Sequence, residues 1–82
     1  PTILAGDFNA LPDSEPIAEL LKHWTDAGPA GVPTAPSKTP RSRIDYIFYR
    51  TKDQVSVSEA EVIEEPVASD HRPVFAVLEI GA

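Results

Sequence analysis

Cysteine is absent from this sequence, and histidine is rare, with only two residues. Without cysteine, the chain can form neither a disulfide bond nor a thiolate metal site, and its composition does not indicate a redox compartment. Two histidines without cysteine also argue against a structural zinc site. Asp and Asn oxygens, by contrast, are suitable ligands for Mg²⁺ or Mn²⁺.

Long hydrophobic runs are also missing. No apolar stretch approaches the ~20 residues that a membrane-spanning helix needs, and no signal sequence is visible. We therefore expect a soluble protein without a transmembrane segment, and the sequence does not distinguish a cytoplasmic protein from a secreted one.

Positive charge is scarce: seven Lys and Arg residues against 13 Asp and Glu residues give a formal net charge of −6. Because this charge repels a polyphosphate backbone, broad affinity for nucleic acid is not expected. Lys38, Arg41 and Arg43 nevertheless lie close together in the sequence. This basic patch either faces a phosphate, with Arg43 as a substrate-binding residue, or belongs to a solvated loop.

The chain has 82 residues, enough for one small domain with a thin core. Because strand-like residues follow Pro1 directly, we expect upstream sequence to belong to the same domain. Apolar residues at i, i+3, i+4 and i+7 from Ile17, after a possible cap at Ser14, predict an amphipathic helix with His23 on its solvent face. The predicted elements are strands at 2–6, 44–49, 54–63 and 74–80, a helix at 14–24 and a long surface loop at 28–40.

The final strand carries apolar residues on both faces. Val74, Ala76, Leu78 and Ile80 line one side, while Phe75 and Val77 line the other. We therefore predict a mixed or antiparallel sheet of about four strands, with one helix covering one face. The other face requires a partner that this chain does not contain.

Three polar clusters lie where predicted strands begin or end, and each contains an acid. Phosphoester hydrolysis needs an activated water, positive charge near the phosphoryl oxygens and help for the leaving oxygen. Carboxylates, an amide, a histidine and a hard metal ion can supply these roles. The clusters are Gly6-Asp7-Phe8-Asn9, Arg43-Ile44-Asp45-Tyr46-Ile47 and Ser69-Asp70-His71-Arg72-Pro73.

These clusters resemble, in order and at plausible spacings, the last three motifs of the endonuclease/exonuclease/phosphatase family. That family includes DNase I-like nucleases, abasic-site endonucleases, inositol-phosphate phosphatases and sphingomyelinase-like enzymes. The resemblance implies an α/β (α+β) fold in which residues 1–82 form the C-terminal half of a two-sheet sandwich. The N-terminal half, which supplies an early Asn, the main metal-binding Glu and often a second His, is absent.

The resemblance also implies a role for each polar residue. Asp7 polarises or deprotonates the attacking water, and Asn9 helps to hold the phosphate. Asp45 orients the imidazole of His71 and favours its protonated form, as a nearby carboxylate should. Asp70, together with Asp7, lies at the metal site.

Structural alternatives remain for these residues. Asp7 and Asn9 also suit a simple Asx-type turn. Asp45 also suits a salt bridge to Arg43 or Arg72, and His71 a capped turn before Pro73.

We predict a phosphoester hydrolase dependent on Mg²⁺ or Mn²⁺, inactive as this chain alone. The alternative is a non-catalytic binding module that retains the fold. The expected partners are a phosphoester substrate (nucleic acid, phospholipid headgroup or sugar phosphate) and either the N-terminal half of the domain or a second copy of the chain. Loop 28–40 is expected to contribute to substrate choice.

Overall fold

The computed structural model describes residues 2–50 and 54–81, so Pro1 lies outside the described residues. These residues form two antiparallel sheets and one short helix. The first sheet has the order β1-β3-β2, and β4 pairs with β5 in a separate hairpin. In chain order the elements are β1 (Ile3–Asp7), α1 (Glu15–Leu21), β2 (Thr25–Asp26), β3 (Asp45–Tyr49), β4 (Val55–Val62) and β5 (Val74–Ile80).

The predicted α+β class is confirmed, but the strands do not form one sheet of about four. The β4–β5 hairpin packs against β3 through side chains, and it is not hydrogen-bonded to that strand. Tyr49 and Val55 are buried at this contact. Ala76 and Leu78 of β5 therefore pack between the two sheets. The partly buried residues of this second core are Ile47, Val57, Ala76 and Leu78.

The opposite face of β3 packs against α1. Tyr46 and Phe48 are buried there with Ile17 of the helix. The rings of Tyr46 and Phe48 are stacked with centroids 5.3 Å apart, and Phe8 meets the Phe48 ring edge-on at 5.3 Å. Because alternate residues of a strand point to opposite faces, β3 contributes to both cores.

Helix α1 is shorter than predicted. Pro16 occupies its first turn, as expected. At its end, the amide of Trp24 still donates to the Leu20 carbonyl. Thr25 then pairs with Tyr49 of β3, because the chain leaves the helix to form the edge strand β2. His23 is exposed, as predicted. In the described part of the chain, no helix is long and apolar enough to cross a membrane.

The predicted surface loop at 28–40 is irregular, but its centre is not on the surface. Thr34, Ala35 and Ser37 are all buried. Their backbone groups are satisfied by other segments: the Ala35 amide donates to the Ser42 carbonyl, and the Ser37 amide donates to the Asp70 carbonyl. Irregular backbone can be buried here because these partners replace water.

The core can be tested on α1, where Ile17 is 2% exposed and Leu21 is 48% exposed. We expect Ile17→Ala to lower the free energy of unfolding by ~2–5 kcal/mol and Ile17→Val by ~0.5–1.5 kcal/mol, since both leave a cavity. Leu21→Ala is the matched control and should cost much less. Urea unfolding followed by circular dichroism measures all three. Equal losses for Ile17→Ala and Leu21→Ala would contradict the packing.

Candidate active site

Two acids meet at one end of the first sheet. Asp7 is the last residue of β1 and Asp45 is the first residue of β3, and the antiparallel register places them directly opposite each other. Directly paired residues project to the same face of a sheet. Two like charges in this position repel each other, so the pair requires a cation or a donor between them.

His71 supplies that donor. Its Nδ1 lies 2.8 Å from Oδ2 of Asp45, and its Nε2 lies 3.9 Å from Oδ2 of Asp7. The imidazole therefore lies between the two carboxylates, hydrogen-bonded to Asp45 and within ion-pair distance of Asp7. When protonated, it carries an N–H group on each ring nitrogen.

The loop that carries His71 is fixed by hydrogen bonds on both sides of the residue. The His71 amide donates to the Ser69 hydroxyl at 3.2 Å, and the Arg72 amide donates to the Thr34 carbonyl at 2.7 Å. Pro73 follows, and β5 begins at Val74. These contacts hold the imidazole at the end of the first sheet although His71 belongs to neither sheet.

The electrostatics of the cluster favour imidazolium. The hydrogen bond that His71 donates to Asp45 raises the pKa of His71, and the charges of Asp45, Asp7 and Asp70 act in the same direction, while burial opposes them. The Asp45 side chain is 16% exposed, whereas that of Asp7 is 50% exposed. Asp45 is thus committed to the histidine, and Asp7 is open to water or a ligand.

An open pocket of about 350 Å³ adjoins this cluster. It lies between the first sheet and the segment that leads into β5. It presents a half-exposed carboxylate beside an imidazole N–H, an arrangement that can polarise a water molecule and donate to an oxyanion. The pocket is lined by Ala5, Gly6, Asp7, Asp45, Tyr46, Ile47, Ser69, His71, Arg72, Pro73 and Val74.

Among the predicted site residues, the structure brings Asp7, Asp45 and His71 together, with one ligand atom from each within 4.8 Å of the others. Asn9 stands beside them. Its amide donates to Oδ1 of Asp7 at 2.8 Å, and its φ of 50° lies in the left-handed region that Asn tolerates. The Asx-type turn is therefore present, and it fixes the carboxylate that the hydrolase hypothesis needs.

Arg43 lies away from this cluster. Its guanidinium is buried and makes two hydrogen bonds of 2.7 Å to Asp26, and it stacks over the Tyr46 ring at 4.7 Å. Such bidentate pairing explains why this Arg is tolerated in the interior. Asp45 is hydrogen-bonded to His71 and Thr34, so the proposed salt bridge to Arg43 does not form.

Asp70 is also outside the cluster. Its carboxylate lies 3.4 Å from the Ser69 hydroxyl and lines a different pocket, which includes Pro36 and Lys38. The phosphate-binding role of Arg43 and the metal-binding role of Asp70 have no support from these contacts, and both stay predictions.

The donor atoms suit a hard metal ion only in part. Mg²⁺ requires about six oxygen ligands, of which proteins often supply one or two carboxylates. Asp7 offers such a carboxylate. Oδ2 of Asp45 already accepts hydrogen bonds from Thr34 and His71, so it is less available. The described residues therefore fit a metal ion only if other residues complete its ligand set, with Asp7 supplying one carboxylate.

Two residues of this region were not identified from the sequence. Thr34 contacts Asp45, and Asp26 is the partner of Arg43. Thr34 lies between Pro33 and Pro36, where no periodicity or motif distinguishes it. Asp26 follows the helix without any signal beyond its charge.

The bridging geometry predicts how His71 responds to pH. Its raised pKa should be visible by NMR titration and should return toward 6.5 in Asp45→Asn, because the main cause of the shift is removed. Since the folded pKa is raised, protonation of His71 stabilises the fold fully below pH 6.5, and this stabilisation is lost as pH rises through the folded pKa. Glu79→Gln, the same change on the exposed side of the hairpin, should leave the titration unchanged.

Comparison with known protein families identifies the family of this chain. The model of the Endonuclease/Exonuclease/phosphatase family matches residues 1–71, which include all three polar clusters up to His71. Comparison with curated proteins and with solved structures gives no significant match. The match covers most of the 82 residues. The chain therefore belongs to the endonuclease/exonuclease/phosphatase family, whose members are generally phosphoester hydrolases and typically depend on a metal ion.

Proposed function

We propose that this chain carries part of the active site of a phosphoester hydrolase dependent on Mg²⁺ or Mn²⁺, in which water attacks phosphorus. The observation that carries the proposal is the bridge from Asp45 through His71 to Asp7 beside an open pocket. A half-exposed carboxylate beside an imidazole whose pKa is raised, at the edge of a pocket, is an arrangement typical of functional sites.

Asp7 is the residue that polarises or deprotonates the attacking water. It is open to solvent, and the Asn9 amide holds one of its oxygens at 2.8 Å. The other oxygen faces His71. A fixed carboxylate acts on water more effectively than a rotating one, because its orientation does not have to be paid for during the reaction. Asn9, adjacent to this carboxylate, helps to hold the phosphate.

His71 and Asp45 act on the phosphoryl group. The protonated imidazole donates a hydrogen bond to a phosphoryl oxygen and thereby stabilises the charge that develops there. Asp45 keeps the ring oriented and charged. A bound Mg²⁺ or Mn²⁺ would supply further charge neutralisation, and Asp7 is the residue here that would help to hold it.

The substrate class stays open among nucleic acid, phospholipid headgroup and sugar phosphate, because the proposed catalytic residues are common to all three. We also propose that residues 1–82 are the C-terminal portion of a larger domain that supplies further metal ligands. The alternative, a binding module without catalysis, predicts phosphoester binding without turnover.

The proposal is tested in the protein with its complete natural sequence, using bis-p-nitrophenyl phosphate and p-nitrophenyl phosphate with Mg²⁺, Mn²⁺ or EDTA. We expect metal-dependent hydrolysis that falls by roughly 10²–10⁴ in kcat in Asp7→Ala and in His71→Ala, because each removes an acid–base or charge-stabilising group. Glu61→Gln, on the exposed face of β4, is the control for the loss of a charge.

Two results would contradict these roles. Unchanged turnover in both folded variants would exclude the assigned residues. Retained binding of inorganic phosphate with no hydrolysis of either ester would favour the binding module.

A further prediction concerns the 82-residue chain by itself. Phe75 and Val77, on the outer face of the hairpin, and Ile3 of β1 are exposed. Covering apolar surface is worth ~25 cal/mol per Å², so we expect the isolated chain to associate with itself or with the N-terminal half of the domain. Because further metal ligands are proposed to lie outside residues 1–82, we also expect the isolated chain to show little or no metal-dependent hydrolysis. Light scattering across a dilution series measures this. A folded monomer that does not associate at micromolar concentration would show that these side chains need no partner.

A further inference from the structure

Thr34 is the most completely buried polar residue next to the cluster, with 1% of its surface exposed. Its hydroxyl donates to Oδ2 of Asp45 at 2.6 Å and accepts a hydrogen bond from the Ile44 amide at 3.2 Å. A hydroxyl has one proton, and a charged carboxylate at this short distance is the preferred acceptor. The Ser42 carbonyl also lies 3.4 Å from this hydroxyl, but the Asp45 carboxylate is nearer and charged. The Thr34 O–H group is therefore directed at Asp45.

The backbone of Thr34 holds the other half of the cluster. Its carbonyl accepts a hydrogen bond of 2.7 Å from the amide of Arg72, the residue next to His71. Its own amide donates to the Ser42 carbonyl at 2.8 Å, which ties it to the chain just before β3. One residue thus contacts both the segment that carries Asp45 and the loop that carries His71.

This double contact addresses a geometric requirement. A carboxylate rotates broadly about its last torsion angle, so Oδ2 of Asp45 needs a second partner to stay directed at Nδ1 of His71. The Thr34 hydroxyl meets the same oxygen. Thr34 does not line the pocket, so it has no contact with a substrate placed there.

We infer that Thr34 is a positioning residue for the Asp45–His71 pair: its hydroxyl sets the rotation of the Asp45 carboxylate, and its carbonyl seats the His71 loop. This inference rests on the proposed hydrolase function for its kinetic consequence, but the hydrogen-bonding geometry can be measured separately. It also gives the centre of the segment at 28–40 a role inside the site.

The test compares Thr34→Val with Thr34→Ser in the protein with its complete natural sequence. Valine keeps the shape of the threonine side chain but lacks the hydroxyl, whereas serine keeps the hydroxyl and lacks only the methyl group. We expect Thr34→Val to lower kcat roughly 10- to 100-fold with KM nearly unchanged, because Asp45 no longer holds the imidazole in place. Thr34→Ser should restore most of the rate.

A spectroscopic readout does not depend on activity. At fixed pH, the proton NMR signal of His71 Nδ1–H should be protected from exchange with water in the unaltered protein and in Thr34→Ser, and should broaden or vanish in folded Thr34→Val. Ser37→Ala is the matched control. It removes another buried hydroxyl of the same segment, bonded to the Pro66 carbonyl, and should leave the signal and the rate unchanged.

The outcomes separate the two proposals. If the unaltered protein does not hydrolyse phosphoesters, the proposed function fails, and the Nδ1–H signal still decides the role of Thr34. An unchanged signal and rate in folded Thr34→Val would overturn the inference. If the valine variant does not fold, the Thr34 hydroxyl proton of the unaltered protein decides: slow exchange supports the bond to Asp45, and rapid exchange overturns it.

Discussion

The site depends on one electrostatic constraint, the direct opposition of Asp7 and Asp45 across the β1–β3 pair. Two carboxylates on adjacent strands repel each other unless a positive group is close to both. His71, which lies outside the sheet, supplies this positive group. Its hydrogen bond to Asp45 and the charges of both acids raise the pKa of its imidazole. The two carboxylates thereby favour the protonated imidazole, and its positive charge offsets their mutual repulsion at the end of the sheet.

The division of the strands into two sheets gives this cluster its pocket. The hairpin packs against Ile47 and Tyr49, and the segment before β5 lies beside the end of β1. The pocket lies between them. Packing of Ala76 and Leu78 against the first sheet places β5, which begins three residues after His71, and the hydrogen bonds of Ser69 and Thr34 fix the imidazole itself.

Buried polar groups support the site from behind. The Tyr46 hydroxyl lies 2.7 Å from the Ala10 carbonyl and so holds the chain that follows Asn9; burial is the main cause of the raised pKa of Tyr46. Arg43 and Asp26 form a compact ion pair under the same ring. Among the described residues, no buried side-chain nitrogen or oxygen lacks a hydrogen-bond partner. Such complete pairing keeps a polar interior from destabilising a small domain.

The sequence by itself indicated the family and the bounds of the final strand, because motifs at strand ends and the alternation of side chains are local properties. The pairing of Asp45 with His71 was implied by the resemblance to the family, and the structure places both residues beside Asp7. Tertiary structure alone decided that the strands divide into two sheets, that Arg43 pairs with Asp26, that Asp70 faces another pocket and that Thr34 touches Asp45. These outcomes depend on contacts between distant segments. An irregular segment has no repeating pattern from which its contacts can be predicted, so these contacts are set only by tertiary packing.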